Sequence, residues 1–90
     1  MVKKKRIVDK KLLQEVSQLP CLVCGRGPSD SDHLKTRGAY GDDTENNVWS
    51  LCRKHHVERH KTGILTFVKK YPTCESWLLK HGREDILDKL

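Results

Sequence analysis

Between Asp32 and His60 the chain places four of its five histidines, together with Asp32, Asn47 and Cys52, and a Cys21-x2-Cys24 pair lies just ahead. Imidazole, thiolate and carboxylate are the side chains that bind transition metals, and their spacing sorts them into two sets. Cys21 with Cys24 and Cys52 with His55 are two pairs of x2 spacing, with 27 residues between the pairs. Each pair fits a tight turn. Three thiolates and one imidazole close a tetrahedral Zn2+ site without an open position, so this set reads as a structural zinc. Cys74 stands outside the pattern and reads as an ordinary, semi-buried thiol.

His56 and His60 are four residues apart, so on a helix both imidazoles leave one face about a turn apart, where they can chelate one ion. Asp32 is the best candidate for a third ligand. Two imidazoles and a carboxylate leave positions open for water or substrate. They are softer than the all-oxygen sets Mg2+ prefers, so Mn2+, Ni2+, Co2+ or Zn2+ should bind more tightly, while Mg2+ is the abundant ion. The same set is the facial triad of non-haem iron oxygenases, but a 90-residue chain with no barrel of strands argues against that reading.

Asp32-His33, then Asn47, then Leu51-Cys52-x2-His55-His56 resembles the HNH endonucleases, whose pattern runs D-H, N and L-C-x2-C-H, usually behind a CxxC pair. The likeness covers residues 21–60, with Asn47 four residues before Leu51 and nine before His56. It implies a ββα-metal fold, two antiparallel strands and a helix around one divalent cation. His33 would be the general base that activates water, and Asn47 would orient His33 through a hydrogen bond. Asp32 and His56 would be metal ligands, with His60 as the extra ligand one helical turn on. His55 stands where most members have Cys, an accepted exchange at zinc. It leaves two adjacent histidines with different duties, and on sequence alone the reverse assignment of His55 and His56 stays open.

Phosphodiester hydrolysis suits these groups. A neutral imidazole can take a proton from water near neutral pH, and a cation with an open face stabilises the charge of the phosphorane and the leaving oxygen. The resemblance therefore implies metal-dependent cleavage of double-stranded DNA, leaving 5′-phosphate and 3′-hydroxyl ends. A single site makes a nick; cutting both strands needs a homodimer, successive events or a partner, and a phage or mobile-element machine is a compatible setting. The alternative is a zinc-stabilised DNA-binding module without catalysis, but such a module has no use for His33 between a ligand Asp and an orienting Asn. Lys35, Arg37, Arg53, Lys54, Arg59 and Lys61 are candidate phosphate contacts, which position a backbone without reading sequence. Tyr40 is a candidate for stacking on a base.

The elements that must position these groups can be placed coarsely. Residues 9–18 carry Leu12, Leu13 and Val16, followed by Leu19, at helical spacing behind a candidate N-cap, Asp9. Gly25, Gly27 and Pro28 make the CxxC segment a turn. Residues 31–34 and 47–51 read as strands around a polar loop, and 53–61 as a helix ended by Gly63. Helices follow over 64–70 and from Thr73 as N-cap to Leu79 or beyond, with Gly82 before a last turn over 84–90. Phe67, Val68, Tyr71, Trp77, Leu78 and Leu79 are expected to be core. The fold class is α+β: a small zinc-stabilised ββα-metal core with flanking N- and C-terminal helices. As one domain it divides into a basic arm and short helix (1–20), the core (21–62) and a helical extension packed on it (63–90).

Composition agrees with a metal-supported fold. Ninety residues at 36% hydrophobic and 33% charged bury a thin core, about 60% of the unfolded surface at this scale. The net charge is +6, of which residues 1–11 contribute +5, six Lys/Arg against Asp9. Such an arm gives salt-dependent affinity for phosphate backbones. With no long apolar run and no signal-peptide pattern, the expectation is a soluble, cytoplasmic protein.

Overall fold

The computed structural model describes residues 6–35 and 41–88. Helix α1 (Lys10–Ser17) begins behind Asp9, whose side chain accepts the Leu12 N–H at 3.0 Å, and buries Val16. Its stripe is narrower than the spacing predicts, because Leu19 lies beyond the last turn and is exposed. The chain then makes the CxxC turn and enters β1 (Asp30–His33), which pairs antiparallel with β2 (Val48–Leu51). The register sets Asp30 opposite Leu51, Ser31 opposite Ser50, Asp32 opposite Trp49 and His33 opposite Val48.

Every residue of β2 is buried, because the hairpin is covered on both faces. Ser31 and Ser50 lie on the α1 side, donating to the carbonyls of Leu13 and Pro20. Trp49 and Leu51 lie on the other, in the main core with Phe67, Val68, Cys74, Leu78 and Ile86. Trp49 meets Trp77 edge-on at 5.4 Å between ring centroids. Full burial of Leu51, Phe67 and Leu78 stabilises by about 1.5–3 kcal/mol each.

Helix α2 (Arg53–Thr62) starts directly at Cys52 and stops at Gly63, whose φ of 89° only glycine adopts without strain. Helices α3 (Ile64–Lys70), α4 (Pro72–Lys80) and α5 (Glu84–Leu87) follow among the described residues. Glu58 of α2 accepts from Tyr71 Oη at 2.8 Å and Lys70 Nζ at 3.0 Å, tying the α3–α4 junction back to α2.

Three expectations need correction. Tyr71, not Thr73, occupies the N-cap position of α4, because Pro72 suits the first helical position, where its missing N–H costs nothing. Leu79 is 50% exposed, since the inward direction at that turn belongs to Leu78. Cys74 is fully buried rather than half-buried, and burial pushes its thiol up to about 12. No described helix is long and apolar enough to cross a membrane.

Candidate metal centres and catalytic histidine

The zinc-type set assembles where the CxxC turn meets the start of α2. Gly25, at φ 72°, lets the chain fold back so that its N–H reaches the Cys21 carbonyl at 2.9 Å. Cys52 and the first turn of α2 supply the other pair. Cys21 Sγ lies 3.6 Å from His55 Nδ1, Cys52 Sγ 3.2 Å from the same nitrogen, and Cys24 Sγ 3.7 Å from Cys52 Sγ. Tetrahedral ligands about 2.3 Å (S) or 2.0 Å (N) from zinc stand roughly 3.5–3.8 Å apart. The Cys3His cluster could therefore hold a metal such as zinc.

The thiols are already differentiated. Burial works against ionisation of Cys21, but N–H groups of Cys52, Cys24 and Val23 and the Cys24 thiol outweigh it and bring its pKa down to about 6. Cys52 is shifted up, first by burial and then by the neighbouring sulfurs of Cys24 and Cys21. Cys21 therefore gives up its proton readily and Cys52 holds its own.

The second set forms between β1 and α2. Asp32 Oδ1 lies 3.0 Å from His60 Nε2 and 3.2 Å from His56 Nε2, and the two nitrogens are 3.1 Å apart. Ligands about 2.1 Å from an ion at right angles stand roughly 3.0 Å apart, so this triangle fits one face of an octahedron better than a closed tetrahedron. The other carboxylate oxygen is held from behind: Asp32 Oδ2 accepts Trp49 Nε1 at 2.7 Å and lies 3.1 Å from Arg59 Nε. His56 Nδ1 donates to Asp30 Oδ2 at 2.8 Å, which leaves Nε2 as the ring atom that faces Asp32. Arg53 lies 3.3 Å from the same Asp30 oxygen.

His33, next to Asp32, turns the other way along the strand. Its Nε2 meets Asp43 Oδ1 at 2.7 Å. Asn47, expected to hold this ring, bonds backbone instead. Its Oδ1 accepts the Lys35 N–H at 2.9 Å, and its Nδ2 donates to the carbonyls of Asp42 at 2.8 Å and Lys35 at 3.2 Å. With those bonds made, and Arg83 Nη1 at 3.3 Å from Oδ1, the amide closes the loop's two ends and is saturated. Asp43 takes over the ring.

The expected phosphate contacts divide. Lys35, Arg53, Lys54 and Lys61 are exposed. Arg59 is buried, its guanidinium beside Asp32 and donating to the carbonyls of His33 and Leu34 at 3.2 Å each, so it braces the site from inside. Arg37 and Tyr40 lie outside the described residues. Arg6 of the basic arm is committed to Asp43 at 2.7 Å.

Sequence reasoning missed Asp30, Asp43, Trp49 and the bracing role of Arg59. Asp30 was accessible in principle, because a strand period of two puts it on the Asp32 face. The Asp42-Asp43 doublet at the foot of the loop was the one visible hint of a buried carboxylate.

A strand hairpin and a helix that bring an Asp and two His to one point, with a Cys3His cluster beside them, define a zinc-knuckle variant of the ββα-metal class. The family model described as "Putative HNHc nuclease" matches residues 5–89, and the chain belongs to this HNH nuclease family. It is also 39% identical over 72 residues, 77% of its length, to the Escherichia coli (strain K12) protein YdfU, itself described as uncharacterized. The chain spans about a fifth of that relative, 20% of its length. No solved structure matches it significantly.

Proposed function

We propose that this chain is a metal-dependent endonuclease that hydrolyses DNA phosphodiesters with His33 as general base. The observation that carries the reading is the convergence of Asp32 Oδ1, His56 Nε2 and His60 Nε2 within 3.2 Å of one another, next in sequence to a histidine with an oriented ring. Asp32, His56 and His60 would hold one divalent cation, Mg2+, Mn2+ or Ni2+, which supplies a positive charge to the phosphate and the leaving 3′ oxygen. His33 takes the proton of the attacking water, and Asn47 acts by fixing the loop that follows His33. Lys35, Arg53, Lys54 and Lys61 hold the DNA backbone. Cys21, Cys24, Cys52 and His55 would hold a structural zinc, which would seat the first turn of α2. One such site breaks one strand, so the elementary product is a nick with a 5′-phosphate; a monomer suffices for it, and a homodimer would cut both strands.

The test is relaxation of supercoiled plasmid by protein reconstituted with one equivalent of zinc, cleared of other divalent ions and supplied separately with Mg2+, Mn2+ or Ni2+, beside His33→Ala. Metal-dependent nicking that the folded variant lacks supports the reading. If neither protein cuts with any of these metals while both bind DNA, the chain is a zinc-stabilised DNA-binding module.

A further inference from the structure

Asp43 is fully buried, and its two oxygens collect three partners from two distant segments. Oδ1 accepts Arg6 Nη1 and faces His33 Nε2, both at 2.7 Å, and Oδ2 accepts the Asp9 N–H at 2.9 Å. The contact with Arg6 and Asp9 belongs to a strap in which residues 6–9 lie along residues 41–43. The Ile7 N–H donates to Asp42 Oδ1 at 2.7 Å, the Asp43 N–H to the Ile7 carbonyl at 2.9 Å, and Arg6 also reaches the Gly41 carbonyl at 3.1 Å.

An ionised carboxylate only accepts, so the His33 nitrogen facing it must carry the proton. A neutral imidazole has one N–H, and placing it on Nε2 leaves Nδ1 with the lone pair. Although burial opposes the charge, the His33 ring, the Asp9 N–H and Arg6 together hold the Asp43 carboxyl down at about 2, so it is an acceptor throughout the working range. Fully occupied and out of water, it has no alternative orientation. Nδ1 of His33 makes no hydrogen bond among the described residues.

We propose that Asp43 is a positioning residue that fixes the tautomer and direction of His33, and that Arg6, by holding the same oxygen, makes the N-terminal strap part of the device that sets the base. The inference rests on His33 acting as the base. It assigns the start of the chain a catalytic consequence, where its charge alone would predict only DNA affinity.

Three measurements test it. In 15N-labelled wild-type protein loaded with zinc, the His33 ring should show its proton on Nε2; a proton on Nδ1 overturns the proposal without any variant. Asp43→Asn keeps the shape but sets an amide donor against one of the three donors around it. Its kcat for plasmid nicking should fall roughly 10- to 100-fold, while KM and the Mn2+ affinity of the Asp32 site stay within about twofold. Arg6→Gln, at a residue that hydrogen-bonds neither His33 nor a metal ligand, should lower kcat in the same way but less, and covers the case in which the Asp43 variant fails to fold. A change in KM alone for Arg6→Gln makes the arm a DNA contact only and overturns the coupling. If His33→Ala cuts like wild type, the base reading falls and this proposal with it. If His33→Ala is inactive while folded Asp43→Asn keeps the wild-type kcat, only this proposal falls.

Discussion

Asp32 and Trp49 stand opposite each other across the hairpin, and the indole Nε1 of Trp49 donates to Asp32 Oδ2 at 2.7 Å. One cross-strand pair thus joins the hydrophobic core to the metal-type site. Trp49 is 1% exposed and packed on Phe67 and Trp77, so its rigid ring fixes which carboxylate oxygen is left for His56 and His60.

Trp49→Phe keeps most of the packing and removes the donor. Affinity of the Asp32 site for Mn2+ should fall about 10- to 100-fold, the usual cost of losing such a partner, while zinc content is unchanged. Mn2+ titration followed by electron paramagnetic resonance measures both the loss and its selectivity.

His56 and His60 should contribute unequally. His56 has its proton fixed on Nδ1 by Asp30, whereas His60 is half exposed and its Nδ1 faces Arg59 Nη1, a donor, at 3.2 Å. His56→Ala should therefore weaken Mn2+ binding more than His60→Ala, and Asp30→Asn should cost roughly tenfold by freeing the His56 ring. Equal losses for the two histidine variants would contradict this ordering.

Arg59→Met should destabilise the fold rather than weaken DNA binding. It leaves Asp32 buried without its guanidinium and strips the His33 and Leu34 carbonyls of a donor, a change of about 3–5 kcal/mol. Urea unfolding of the zinc-loaded protein reads this directly. Lys54→Met, at an exposed position on the same helix, should leave stability nearly unchanged and lower DNA affinity.

Zinc uptake should release fewer than three protons per ion at neutral pH. The Cys21 pKa is held down to about 6, so its thiolate is formed before metal arrives, whereas the raised pKa of Cys52 means that its proton leaves only on binding. The linkage sign follows: with its pKa depressed by folding, Cys21 stabilises the metal-free fold fully above the unfolded value near 9, and this is lost as pH falls through about 6. Titration calorimetry in buffers of different ionisation enthalpy counts the protons. Because structural zinc sites contribute on the order of 10 kcal/mol or more, comparable to a small domain's whole stability, chelation should unfold or loosen the chain.

What could be read beforehand was whatever depends on local spacing. The x2 pairs, the His56/His60 interval and the helix-ending Gly63 each work within a turn or two of chain, and the elements fall close to where those signals put them. Asp43 and Trp49 depend on hairpin register and on the path of the strap, which single-sequence patterns do not encode. Arg59 was misjudged because its neighbours are charged; only the packing of α2 on β1 shows that its guanidinium points inward. The site residues were visible as chemistry, and their supports became visible only as geometry.

Helix α2 carries His55 on one side and His56 and His60 on another, so the two candidate centres share one rigid rod. An ion held by Cys52 and His55 would order the turn from which His56 projects, and a second ion would then have less freedom to remove. Such coupling is reciprocal: whatever factor the first ion adds to the second's affinity, the second returns to the first. Zinc supply would then act as a dial on nuclease competence, with no effector beyond the metal itself.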